Sequence, residues 1–333
     1  MERREFEQLL ARGSLPSVLL FEGEEDYLKQ RAWKALRKAV LPEGLEELNE
    51  TILDAPETDA LIAAGETLPF LADRRLVLVR DHPALVGRAD ADERLLSWLK
   101  QAPASTLLVF YCAKKPDGRK KLYSVIKKMN GIVSFSPLRD RELTSFVTES
   151  FKKLGKECDE RTADYLIFTV GSDTSLLLGE IAKIASHDPS VSAVQPDEVT
   201  ALATPSIECT VFQMVDAVVT GQKARAFTLL RNQLRSGTER VFILAMLLRQ
   251  FRLLQHVKIM QYEKKGLAAI RSALGVPAFA ADQYVRQASL YSGGQVKQAV
   301  KICFETETAI KTGALNAEGA VEAVLLRILT LRD

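Results

Sequence analysis

The chain has 333 residues, 47% hydrophobic and 26% charged, with a formal net charge of +2. That length exceeds one ordinary core and implies two or three domains, while near-neutral charge removes any whole-chain electrostatic case for nucleic acid or membrane binding. Cys112, Cys158, Cys209 and Cys303 are scattered without a CxxC pair, which argues against a disulfide framework or zinc ribbon and fits free thiols in a reducing cytoplasm.

Met1-Glu2-Arg3-Arg4-Glu5 leads into no apolar h-region, so no signal peptide is expected. A helix is expected over 3–11. Short β-rich runs then alternate with helical patterns: strands at 17–21, 51–53, 75–79, 106–111 and 131–135, helices near 26–40, 58–65, 91–101 and 118–129. Continuous apolar strands separated by amphipathic helices predict an α/β domain with a parallel sheet covered on both faces. After Pro137 the periodicity turns helical. Residues 140–204 read as short helices punctuated by Gly155 and Gly171, with a loop at 187–196. From 208 onward longer helices are expected at 208–220, 222–236, 238–264, 266–274, 280–290, 293–312 and 317–331. The longest strongly apolar run, Val241 to Leu248, is followed by Arg249 and Arg252 and falls far short of the roughly 20 residues that span a bilayer. The helix around 238–264 holds more apolar residues than one internal face needs, which predicts burial against neighbours. Three domains follow: 1–139, 140–207 and 208–333.

The stretch FEGEEDYLKQRA, 21–32, has the layout of a phosphate loop: strand, tight turn, helix N-terminus, with Asp26 as the expected N-cap. Its chemistry departs from that layout. Counting from Gly23, Lys29 falls at the lysine of G-x-x-x-x-G-K-[ST], but Leu28 replaces the second glycine and Gln30 the magnesium hydroxyl. Glu22, Glu24, Glu25 and Asp26 crowd the turn. A like charge about 6 Å away costs roughly 0.7 kcal/mol in water and nearer 3 at an effective dielectric of 20. Several such groups outweigh one lysine and a helix-end dipole of about half a charge. Thr106 to Tyr111 runs into Cys112-Ala113-Lys114-Lys115, not into the paired acids that hold magnesium. Gly23, Glu24, Glu25, Asp26 and Lys29 therefore read as a degenerate phosphate loop for which no nucleotide, cofactor or metal is expected.

The degenerate loop, the small helical part and the larger helical part in this order resemble an AAA+ clamp-loader protein. The stretches LLFEGEEDYLKQRAWKALR, LPFLADRRLVLVRD, LLVFYCAKKPDGRKKLY, FSPLRDRELTSFV, VGSDTSLLLGEIAKI, AMLLRQFRLLQHVK and ETAIKTG, in order along essentially the whole chain, resemble the delta subunits of bacterial DNA polymerase III clamp loaders. That resemblance implies a non-catalytic AAA+ subunit of the holoenzyme that binds the ring-shaped sliding clamp (beta) and opens one ring interface. ATP would be handled by gamma/tau-type neighbours, beside a delta-prime subunit and primer-template DNA, in the cytoplasm. Where active relatives carry a sensor arginine, Gly171 is followed by Ser172, Asp173 and Thr174, and no Ser-Arg-Cys motif occurs. The C-terminal part would supply the collar holding the subunits together.

In GETLPFLADRRLVLVRD, 65–81, two readings of Phe70-Leu71 stand. They are core residues stapling a helix to the sheet, or, as the resemblance implies, an exposed pair inserting into the clamp's apolar pocket, with Leu68 and Pro69 beside them. Residues 114–128 carry seven Lys/Arg against one Asp, and 222–271 eleven against Glu239 and Glu263. Lys114, Lys115, Arg119, Lys120, Lys121, Arg249 and Arg252 read either as solvated faces or as contacts to DNA phosphates or partner proteins. Arg249, Gln250 and Arg252 read as a contact between subunits or as the polar side of their helix. His82, His187 and His256 lack partners at metal-ligand spacing, and no catalytic residue is expected. Two other functions compete: an active AAA+ ATPase remodelling DNA or protein through Lys29, and a DNA-binding adaptor without a clamp partner.

Overall fold

The computed structural model describes residues 1–276 and 278–331. The five apolar runs form β1 (Val18–Glu22), β2 (Glu50–Asp54), β3 (Arg75–Arg80), β4 (Thr106–Tyr111) and β5 (Ile132–Ser134). They make one sheet in the order β2-β3-β4-β1-β5, every pair parallel. Parallel strands need crossovers, and the amphipathic segments supply them. Helix Asp26–Val40 buries Leu28, Ala32 and Leu36 at a spacing of four, the stripe of a helix lying on a sheet.

Side-chain alternation divides the strand residues between two buried faces. Val18, Leu20, Val77, Val79, Leu108 and Phe110 share one cluster with Leu61, Leu95, Leu99, Leu122 and Ile126 from the crossover helices. Leu19, Phe21, Leu76, Leu78, Leu107 and Val109 on the other face are also buried. There Phe21 packs edge-on against Phe6 and Phe135, with centroids 5.4 and 5.1 Å apart. Both faces are covered, so the expected α/β domain with a parallel sheet is the fold found.

The chain divides into two units, Met1–Leu138 and Arg139–Asp333. The second is helical, beginning with Asp140–Lys153, Glu160–Val170, Thr174–His187 and Pro196–Leu202. Asp173 caps the third of these by accepting the Leu176 N–H at 2.9 Å, so the residues standing where a sensor arginine would fall serve as a helix start. Helices Ile207–Val219, Lys223–Arg235, Arg240–Tyr262, Leu267–Leu274, Ala278–Ser289, Gly293–Lys311 and Ala320–Leu329 follow.

Helix Arg240–Tyr262 lies at the centre of that last group. It buries Ile243, Leu244, Leu247, Leu248, Phe251, Leu254 and Val257 in a cluster with Val215, Ile302, Val324 and Ile328. Neighbouring helices of its own unit cover more than one face and take most of its apolar residues, while Phe242 and Ile259 stay exposed. Gln250 corrects the expectation for 249–252. It is buried, and its Oε1 accepts a hydrogen bond from the Tyr284 hydroxyl, while Arg249 and Arg252 face outward. No single helix among the described residues is long and apolar enough to cross a membrane.

Candidate partner-binding tip and degenerate phosphate loop

All strands point the same way, so the sheet has two distinct ends. The loop after β1 lies at the C-terminal end, where open α/β sheets bind small ligands. Asn49, just before β2, and Arg75, the first residue of β3, mark the opposite end. The two candidate sites therefore occupy opposite ends of one sheet.

At the C-terminal end the loop is closed by its own protein. Gly23 has φ +113, and a Cβ there would lie 2.2 Å from the Phe135 carbonyl oxygen, so only glycine lets the turn approach this closely. Phe135 donates its N–H to the Glu22 carbonyl at 2.8 Å, and its own carbonyl accepts the Glu25 N–H at 3.2 Å. Glu24 and Asp26 are exposed, and Glu25 is buried. Leu28, standing where the second glycine would be, is a core residue.

Lys29 is fully buried. Its Nζ donates to the Cys112 carbonyl at 2.7 Å, lies 3.5 Å from Asp26 Oδ1, and sits 4.9 Å from the centre of the Tyr111 ring. Asp26 is not the helix N-cap that the sequence suggests. The N-cap position is Glu25, whose side chain makes no capping hydrogen bond, and Asp26 is the first helical residue. Its carboxylate instead accepts the Tyr111 hydroxyl at 2.5 Å and Gln30 Nε2 at 2.7 Å. Burial pushes this carboxyl up, but the bonds from Tyr111, Gln30 and Lys29 outweigh it and hold it below the ordinary carboxylate value. Burial also raises the Tyr111 hydroxyl, with the Asp26 bond adding to it, and pushes the Cys112 thiol up to about 12. Cation, carboxylate, phenol and strand-end carbonyl form one internal network.

His82 adjoins this end after β3. Its Nδ1 accepts the Ala84 N–H at 3.2 Å, capping helix Pro83–Val86, and its ring meets Phe110 edge-on at 5.8 Å. Burial holds its pKa below the ordinary 6.5. The unfolded chain therefore takes up a proton near that value that the folded chain refuses. The stabilisation is complete above the unfolded pKa and is lost as pH falls below it, by at most about 1.4 kcal/mol per pH unit. Urea midpoints should decline from pH 7 to pH 5, and His82→Asn, which keeps a capping acceptor, should flatten that decline. An unchanged slope in the variant would assign the loss to other groups.

At the N-terminal end, helix Thr58–Glu66 delivers the chain to residues 67–74. Gly65 fixes its position: a Cβ there would lie 2.3 Å from the Trp98 ring, and its carbonyl accepts the Thr106 hydroxyl at 2.7 Å. Beyond it, Leu68 is 77% exposed, Phe70 54% and Leu71 76%, with Pro69 half-buried. The core reading of Phe70-Leu71 is thereby excluded. Leu71 has φ +49, a conformation leucine rarely adopts. Asn49 is fully buried, and its side chain holds both backbone groups of Phe70: Oδ1 accepts the Phe70 N–H at 2.6 Å, and Nδ2 donates to the Phe70 carbonyl at 2.9 Å. Nδ2 also donates to the Leu45 carbonyl at 3.0 Å. Arg75 fixes the same segment, donating to the Leu48 carbonyl at 3.2 Å and Thr51 Oγ1 at 2.6 Å. Leu48 and Ile52, on or beside the edge strand β2, are exposed as well. Local sequence gives no sign that Asn49 belongs to this site.

The basic residues separate into two groups. Arg119 pairs with Asp117 at 2.9 Å, Lys121 with Glu93 at 2.6 Å, and Lys120 donates to the Ala89 carbonyl at 2.8 Å beside Asp90. Arg249 pairs with Glu208 at 2.7 Å. Lys114, Lys115 and Arg252 are exposed. No group of three His, Cys, Asp or Glu side chains suited to a metal occurs among the described residues.

Comparison with known proteins agrees at both ends of the chain. The family model for the DNA polymerase III delta subunit matches residues 19–136, and the model for the C-terminal domain of that same delta family matches residues 208–328. DNA polymerase III subunit delta of Bacillus subtilis (strain 168) is 26% identical over 329 residues, 96% of this chain and 95% of that protein. The Escherichia coli (strain K12) subunit delta is 24% identical over 301 residues, 89% of this chain and 87% of its own. The solved structure of the Bacillus subtilis DNA clamp loader delta protein superposes with a TM-score of 0.55 at 25% identity, covering 98% of this chain and 99% of that one. With family models matched in both units and relatives aligned along almost the full length, this chain belongs to the DNA polymerase III delta subunit family of clamp-loader proteins.

Proposed function

We propose that this chain is the non-hydrolysing subunit that grips the sliding clamp through Leu68, Pro69, Phe70 and Leu71 and traps one ring interface open for loading onto primed DNA. One observation carries the reading: three large apolar side chains stand in water at the sheet end opposite the phosphate loop, on a backbone held by hydrogen bonds to the buried Asn49 side chain. Exposed apolar groups clustered on a fixed frame mark a protein contact, and burying each in a pocket yields about 1.5–3 kcal/mol. An anchor alone does not part a ring. The anchor holds one edge while the surrounding surface fits the distorted interface better than the closed one, and this differential affinity sets the extent of opening.

ATP binding and hydrolysis fall to gamma/tau-type partners, because the lysine placed for a phosphate is buried against Cys112 and Asp26. The same reading divides the second unit into a lid, 140–207, and a collar, 208–333, and the C-terminal family model beginning at residue 208 supports it. The collar joins gamma/tau and delta-prime subunits around primer-template DNA in the cytoplasm. Lys114, Lys115 and Arg252, exposed on the surface, are the cations best placed for phosphate or partner contact.

The test is clamp release. The purified chain is added, without nucleotide, to sliding clamp assembled on nicked circular DNA, and release is followed by gel filtration. Release well above the spontaneous rate is expected. Binding without accelerated release would reduce the chain to a tether, and release that required ATP with this chain alone would return the chemistry to it.

A further inference from the structure

We infer that Asn49 is the positioning residue of the apolar tip: its side-chain amide locks the Phe70 backbone so that Phe70 and Leu71 stand outward before any partner arrives. The inference rests on reading the tip as the clamp contact. Residues 67–74 contain no helix or strand, so no backbone ladder fixes them. Large apolar side chains on such a segment gain by folding back onto nearby apolar surface, and exposed Leu48 and Ile52 offer that surface. Two hydrogen bonds between one buried amide and the Phe70 backbone oppose this collapse, and a third, to the Leu45 carbonyl, orients that amide.

The chemistry requires an amide. Its oxygen takes the Phe70 N–H, and its two N–H groups satisfy the carbonyls of Phe70 and Leu45. Aspartate would keep the first bond and set a carboxylate against two carbonyls, while alanine leaves all three backbone groups without this partner. Because Asn49 is fully buried, it offers no surface to a clamp, and any effect on binding must travel through the tip. The left-handed backbone at Leu71 is a second sign that this shape is imposed from outside the segment. An outward tip binds without first being selected from a mixture, and losing the lock weakens the apparent affinity by the fraction of molecules that remain competent.

The experiment is a double-mutant cycle read by clamp-binding kinetics on full-length chains, with amide hydrogen exchange on the unaltered one. Asn49→Ala should weaken clamp binding about tenfold, or roughly 1.4 kcal/mol. In the Phe70→Ala/Leu71→Ala background it should add nothing. The Phe70 amide should be protected in the free parent chain. Loss of binding by the double variant with parental binding by Asn49→Ala would leave the clamp reading intact and overturn the lock. Equal weakening in both backgrounds would show a general folding defect and overturn it too. Parental binding by the double variant would instead remove the clamp reading and, with it, this inference. Should Asn49→Ala fail to fold, the parent still decides: a Phe70 amide exchanging at the rate of an unstructured peptide overturns the lock.

Discussion

Replacing Phe70 and Leu71 together by alanine should weaken clamp binding severely, to an affinity still measurable at high clamp concentration, while leaving the chain as stable as its parent. At about 1.5–3 kcal/mol for each buried side chain, the pair contributes roughly 3–6 kcal/mol, or about two to four orders of magnitude in affinity. The two effects will not sum cleanly, since neighbouring anchors share one pocket. Stability should change by no more than about 0.5 kcal/mol, because the side chains are 54% and 76% exposed and stabilise little in the free chain. This combination distinguishes an interface from a core. Had the pair been the staple between helix and sheet, the same variant would lose several kcal/mol of folding free energy and bind poorly only because it is unfolded. Titration calorimetry against the clamp, beside urea denaturation, measures both quantities. Parental affinity, or a large loss of stability, would each overturn the assignment.

That distinction marks where the sequence stopped informing. Strands such as 75–79 and 106–111 were legible because continuous apolar runs between amphipathic helices have few other uses, and they became β3 and β4 with ends within a residue. Helix 26–40 was legible from the spacing of Leu28, Ala32 and Leu36. Phe70 and Leu71 could be placed before a strand, yet apolar residues at an element junction look alike whether they face core or water. What holds them outward is a bond to a residue 21 positions away, which no local pattern encodes. Gln250 differs. It falls on the stripe Ile243, Leu247, Leu254, Val257, and that spacing points to an inward side chain despite the flanking arginines.

Lys29 offers the second large effect, and it discriminates between a vestigial site and a working one. Read along the chain, this lysine occupies a phosphate-binding position. Folded, it is buried, its Nζ donates to the carbonyl of Cys112, 83 residues away, and Asp26 lies 3.5 Å from it. A nucleotide would have to withdraw it from both while facing Glu24 and Asp26. Lys29→Ala should therefore act as a core substitution, removing a buried four-carbon stem and leaving a strand-end carbonyl without its charged donor, for a loss of roughly 2–4 kcal/mol. The ion pair itself adds little, because the Asp26 side chain is about half exposed and screened. Lys29→Met keeps the stem and loses only the donor, so its cost should be nearer 1–2 kcal/mol. The order, alanine worse than methionine, separates packing from charge. Millimolar ATP should shift the denaturation midpoint of none of the three chains. If ATP stabilised the parent and methionine abolished that shift without lowering stability, Lys29 would be a nucleotide ligand, which would favour the competing ATPase reading. The opposite result makes the lysine a strut whose cation satisfies the Cys112 carbonyl at a strand end.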